Sequence, residues 1–213
     1  MGKRSFFYKG PKIYKTGLIL LHGKKIDERY TYISSQVGFE KTVLEPACGP
    51  GILASFLFPD TTYRGFDINE KFVNYAKERN LDVYFGDATN QNSYCLADVV
   101  VLCHALHHLG EENEKEVIKY CSESAKKKLI VCEPFRDYYL QTFPELIPGK
   151  DAFLKKWFNY IKRDGINKVT FENIRTKNEL ENMMNEGFNI IPNDVKKDLK
   201  NIEDELDITN HLN

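Results

Sequence analysis

The sequence predicts an α/β protein: an open, doubly wound, mostly parallel sheet with helices on both faces. Three features carry that reading. The run VLEPACGPG at 43–51 ends an apolar pair in an acid and follows it with a small-residue loop. Val99-Val100-Val101-Leu102 is apolar without alternation, as suits a strand buried on both faces of a parallel sheet. From residue 42 to 132, strand-like and helix-like segments alternate, which calls for right-handed crossovers.

The elements follow in order. Residues 27–37 have helical spacing, with Tyr30, Ile33 and Val37 on one side, and are expected to cover the sheet ahead of its first strand. Strands are expected at 42–45, 62–67, 82–85, 98–103 and 128–132, and helices at 52–58, 70–79 and 112–125. After Cys132 the rhythm breaks. Residues 134–175 carry Pro134, Pro144, Pro148, Gly149 and an Asp164-Gly165 turn signal, and read as an insertion. Nine aromatic residues fall between Phe135 and Phe171, including the only tryptophan, Trp157. A helix is expected around 178–185, closed by Gly187, with two short strands around Val195 and Ile208. This divides the chain into an arm and helix at 1–40 and a single domain at 41–213.

Composition narrows the function classes. The chain has 213 residues, 42% hydrophobic and 29% charged, which are globular values. A net charge of −1 gives the whole chain no field that demands a polyanionic partner. Seven basic residues nonetheless precede the first acid, Asp27, and read as a solvated arm rather than an anion-binding surface. Five cysteines without a C-x-x-C pair suit a reducing compartment, not a disulfide scaffold. No signal peptide and no apolar run of membrane-spanning length is seen, so a cytoplasmic protein is expected.

A strand that empties into a glycine loop lets backbone approach a bound nucleotide closely. Asp67 ends the next strand, where a carboxylate would meet ribose hydroxyls. Gly49-x-Gly51-x-x-Ala54 formally satisfies a dinucleotide fingerprint, so an NAD-dependent oxidoreductase is one reading. Against it, Glu45 stands where such fingerprints run apolar, and the loop lies late, leaving little chain for a separate substrate domain. The one Tyr-x-x-x-Lys match, Tyr8 and Lys12, precedes the loop.

Glu45-Pro-Ala-Cys-Gly-Pro-Gly51 resembles the first motif of the class I S-adenosylmethionine-dependent methyltransferases, with Ala47 in place of the first glycine. Phe66-Asp67-Ile68 resembles that family's second-strand motif. Gly86-Asp87-Ala88-Thr89 and Ala97-Asp98-Val99 through Leu109 resemble the segments that follow. Four such motifs in order, covering roughly residues 42–188, imply a Rossmann-like methyltransferase fold with S-adenosyl-L-methionine as cofactor. On that resemblance, Ala47, Gly49 and Gly51 would let backbone lie against the methionine portion, with Glu45 orienting its cationic end. Asp67 would accept from both ribose hydroxyls. Ile68 would pack on the adenine face, and Asp87 with the Ala88 backbone would meet its hydrogen-bonding edge. Taken singly, Asp67 and Asp87 read equally well as helix caps.

Cys103-His104-Ala105-Leu106-His107-His108 follows the fourth strand. His104 is expected to line the cofactor or acceptor cleft, with a general-base role open to it, and His107 or His108 to be structural. Pairs such as His104 with His107 or His108 have helical ligand spacing, but no carboxylate or thiol of suitable spacing completes a site, so no metal is expected. The same loop lacks the Asn/Asp-Pro-Pro-aromatic and Pro-Cys motifs of enzymes that methylate nucleic-acid bases. The aromatic stretch lies where the family places lid and acceptor elements, and Tyr138, Trp157 and Tyr160 are candidates for an acceptor pocket. The expected function is methyl transfer to a small molecule by in-line displacement. An RNA or protein acceptor, or a non-catalytic cofactor-binding subunit, is the alternative.

Overall fold

The computed structural model describes residues 25–133 and 176–187, together with Gly10, Pro11, Ile13, Tyr14, Thr16, Ala152, Lys156 and Ile174. Its strands are β1 (Thr42–Pro46), β2 (Thr62–Asp67), β3 (Val83–Phe85), β4 (Ala97–Cys103) and β5 (Ala125–Cys132). They form one sheet in the order β3-β2-β1-β4-β5, and every pairing is parallel. The helices are α1 (Lys25–Val37), α2 (Glu70–Glu78), α3 (Glu111–Ser124) and α4 (Lys177–Gly187).

Side-chain alternation along β4 explains why its run is unbroken. Val100 and Leu102 join Leu44, Phe66, Val117 and Ile118 in one core, beneath α3. Val99, Val101 and Cys103 join Val43, Leu53, Ile33 and Val37 in the opposite one, beneath α1. Both faces are covered, so no position on the strand profits from being polar. The apolar stripe of α1 lies where its spacing predicts, with Ile33 and Val37 buried and Tyr30 packed beside them. Helix α2 buries Phe72, Val73 and Ala76, and the Asn69 side chain caps it by accepting from the Lys71 N–H.

Strand order reverses between β1 and β4. The chain leaves β1 toward β2 and β3 on one side and returns to β4 on the other. Loops at the carboxyl ends of β1 and β4 therefore diverge, leaving the crevice in which open α/β sheets bind ligands.

Two expected elements differ. In place of a helix at 52–58 there is a single 3-10 turn, Leu53–Ser55. The segment is boxed in by Gly51 at φ 70° and by Pro59, which disfavours helical geometry at Phe58, and too few residues remain to propagate a helix. Strand β5 begins at Ala125 rather than 128, because Lys126 and Lys127 are exposed at its start and mask the pattern. Lys127 pairs with Glu40, and the Lys128 ammonium donates to the Gln36 carbonyl at 2.9 Å. Helix α4 falls on the expected segment. The acceptor candidates Tyr138, Trp157 and Tyr160, the strands around Val195 and Ile208, and all but Lys25 of the seven basic residues lie outside the described residues. No described helix is long and apolar enough to cross a membrane.

Candidate functional site

The loop after β1 turns through three left-handed residues, Ala47 at φ 52°, Gly49 at φ 55° and Gly51 at φ 70°. Two backbone bonds set its shape, from Cys48 N to the Phe66 carbonyl and from Gly51 N to the Cys48 carbonyl, both 3.0 Å. The two glycines serve different ends. A Cβ on Gly51 would lie 2.8 Å from Leu81 Cδ1, so its bare face fits the loop to the protein's own core. A Cβ on Gly49 would meet nothing nearer than 4.0 Å, which leaves that face open to a ligand. Arg79, at the end of α2, pins the loop from outside, donating to the Pro50 carbonyl at 3.0 Å and to Ser55 Oγ at 2.9 Å.

Asp67 is buried at the carboxyl end of β2 and accepts from the Gly49 N–H at 2.8 Å and the Asn69 N–H at 2.7 Å. Asn69, not Asp67, caps α2, so the capping alternative for Asp67 does not describe its position. A carboxylate fixed by two amides beside an open glycine is a preformed acceptor for hydroxyl groups. Glu45, buried at the end of β1, accepts from the Tyr63 hydroxyl at 2.5 Å. Burial pushes its carboxyl up to about 8, against the Tyr63 hydrogen bond and with the charge of Asp67. Ile68 is half-buried beside them.

Asp87 lies in the loop after β3, where Oδ1 accepts from the N–H and hydroxyl of Thr89 at 2.9 and 2.8 Å. The Asp87 N–H donates to Ser93 Oγ at 3.1 Å, and the Ala88 carbonyl accepts from the Tyr94 hydroxyl at 2.8 Å. Gly86 is small for the sheet's sake, since a Cβ there would lie 2.9 Å from the Phe66 ring.

After β4, His104 has φ 55° and donates its N–H to the Cys132 carbonyl at 2.7 Å. His107 is buried, and its Nδ1 lies 2.7 Å from Glu133 Oε2. The other Glu133 oxygen accepts from the N–H groups of Ala105 and Leu106. His107 is therefore built into the loop.

Three residues of this region were not singled out from the sequence: Tyr14, Arg79 and Glu133. The Tyr14 ring packs on Phe72 with centroids 5.0 Å apart. Burial raises the pKa of its phenol, and the charges of Asp67 and Glu45 nearby add to that shift. The Tyr14 N–H donates to the Gly10 carbonyl at 3.0 Å.

A glycine loop, a fixed acid on the neighbouring strand and a crevice at the switch point define a Rossmann-like nucleoside-cofactor domain. Residues 43–128 match the family model described as a methyltransferase domain. Over that stretch the chain is similar to methyltransferase domains.

Solved structures share the fold. An O-methyltransferase family protein from Burkholderia thailandensis matches with a TM-score of 0.58 at 13% identity, over 83% of this chain and 53% of that one. The plantazolicin methyltransferase BpumL, in complex with a pentazolic desmethylPZN analog and SAH, gives 0.60 at 16% identity, over 84% and 71%. The mitomycin 7-O-methyltransferase MmcR gives 0.57 at 14%, over 85% and 52%. The chain thus spans about half the length of the first and third. A search of curated proteins finds no match.

Proposed function

We propose that the chain is an S-adenosylmethionine-dependent methyltransferase that acts on a small-molecule acceptor. The observation that carries this reading is Asp67, buried at the end of β2 and held by two amides against the open face of Gly49. The bound cofactor supplies a sulfonium methyl group already activated for displacement. Asp67 takes the ribose hydroxyls, and Ile68 covers the adenine face. Glu45 meets the ammonium of the methionine portion and gives up its proton in doing so. Gly49 supplies a surface without a side chain along the same portion. Alignment and exclusion of water are what the protein adds, and alignment alone is worth about 7–11 kcal/mol in favourable intramolecular models. Among structural neighbours, BpumL was crystallised with SAH and MmcR is a mitomycin methyltransferase, which supports a small-molecule acceptor in this architecture.

Calorimetry with the purified chain tests the cofactor. S-adenosylmethionine or its demethylated product should bind, and NAD should not; preference for NAD would overturn the reading. Asp67→Ala should weaken cofactor binding about 10- to 150-fold, the worth of a charge-assisted hydrogen bond. Methyl transfer from labelled cofactor into fractionated cell extract tests the acceptor. Label should appear in the small-molecule fraction, and label confined to RNA or protein would refute that part.

A further inference from the structure

The carboxyl ends of β4 and β5 bring together three soft donors that no sequence spacing connects. Cys103 and Cys132 are register partners on adjacent strands, and His104 follows the first of them directly. One ligand atom from each lies within 4.8 Å of the other two. The His104 backbone is tied across to β5 by its N–H bond to the Cys132 carbonyl, so the imidazole and both thiols hang from one rigid strand junction. Cys103 is buried, while Cys132 and His104 are partly open.

We propose that Cys103, His104 and Cys132 form a metal site that takes one zinc ion, with a fourth position left to solvent or a ligand. Zinc–sulfur and zinc–nitrogen bonds of about 2.3 and 2.0–2.1 Å place tetrahedral ligands roughly 3.6–3.8 Å apart. Metal binding would draw the donor atoms from within 4.8 Å of one another to that spacing. Two cysteines and one histidine with an open position are a known zinc-ligand set. Binding displaces one proton from each thiol, and the two thiolates neutralise the dication, which a half-buried site requires. A metal-bound imidazole is not a free base, so this assignment replaces the general-base role suggested by the position of His104.

The test is metal titration of the reduced full-length chain without cofactor, against a chromophoric chelator, followed by cobalt(II) substitution. One equivalent of zinc should bind, and the cobalt form should show thiolate-to-cobalt charge-transfer absorption. Cys132→Ser should abolish that absorption or lower affinity about tenfold or more. His104→Asn should do the same without disturbing the fold, because asparagine tolerates the left-handed backbone there. Cys95→Ser, outside the cluster, should change nothing. Lack of stoichiometric binding, binding that both variants leave intact, or a Cys103–Cys132 disulfide in the peptide map of protein purified in air would each overturn the site. Because the readout is metal alone, either result leaves the methyl-transfer reading standing.

Discussion

Burial of Glu45 at the end of β1 pushes its carboxyl up to about 8 from an ordinary 4.5, so the folded chain holds a proton there that the unfolded chain has lost. Folded protein binds more protons than unfolded between those values, and stability therefore falls as pH rises across that window and levels off above it. Thermal unfolding from pH 5 to 9 should show this decline, and Glu45→Gln should flatten it. An ammonium beside Glu45 favours the ionised form, so cofactor binding at pH 7 should release up to one proton. Calorimetry in buffers of different ionisation enthalpy measures that number; a value of zero would remove Glu45 from the ammonium. The neighbouring loop gives a second test. Ala47 sits at φ 52°, where a side chain costs about 1–2 kcal/mol, and glycine gives back about 0.4–1 kcal/mol in chain entropy. Ala47→Gly should therefore raise stability by up to about 1.5 kcal/mol in denaturant melts. Gly51→Ala should lower it, because its Cβ would also meet Leu81. Glu45 and Asp67 were legible in the sequence because each is an acid closing an apolar strand. Arg79 was not, since its bond to Pro50 spans 29 residues and no local pattern marks it.

Among the elements, the segment joining β4 to α3 depends on a residue from another strand. Glu133, just beyond β5, accepts from two backbone amides and holds His107, with both side chains almost fully buried. Glu133→Ala removes the acceptor of two backbone amides and of the His107 contact together, and should cost about 1–3 kcal/mol or more in urea unfolding. A loss below 1 kcal/mol would mean that the loop is held by other contacts. Strand β4 was readable because its apolar run is continuous. The turn at Leu53–Ser55 was misread as a helix because its apolar residues fill the floor beneath α1 rather than one side of a cylinder. The start of β5 was hidden by Lys126 and Lys127, the second of which pairs with Glu40 from much earlier in the chain.

For the molecule as a whole, the crevice stands over β1 and β4, each flanked on both sides within the sheet. Amide hydrogen exchange should find its slowest positions there, at the limit set by global unfolding. Cofactor should add protection chiefly in the rim loops at 47–51, 86–89 and 104–109; protection spread evenly over the sheet would contradict a rigid floor. The doubly covered sheet has an evolutionary consequence too. Its interior asks only for apolar side chains of suitable volume, a demand that many combinations meet. An identity of only 13–16% with solved structures of the same fold is compatible with such a floor. The rim loops can then vary without renegotiating the ground on which they stand.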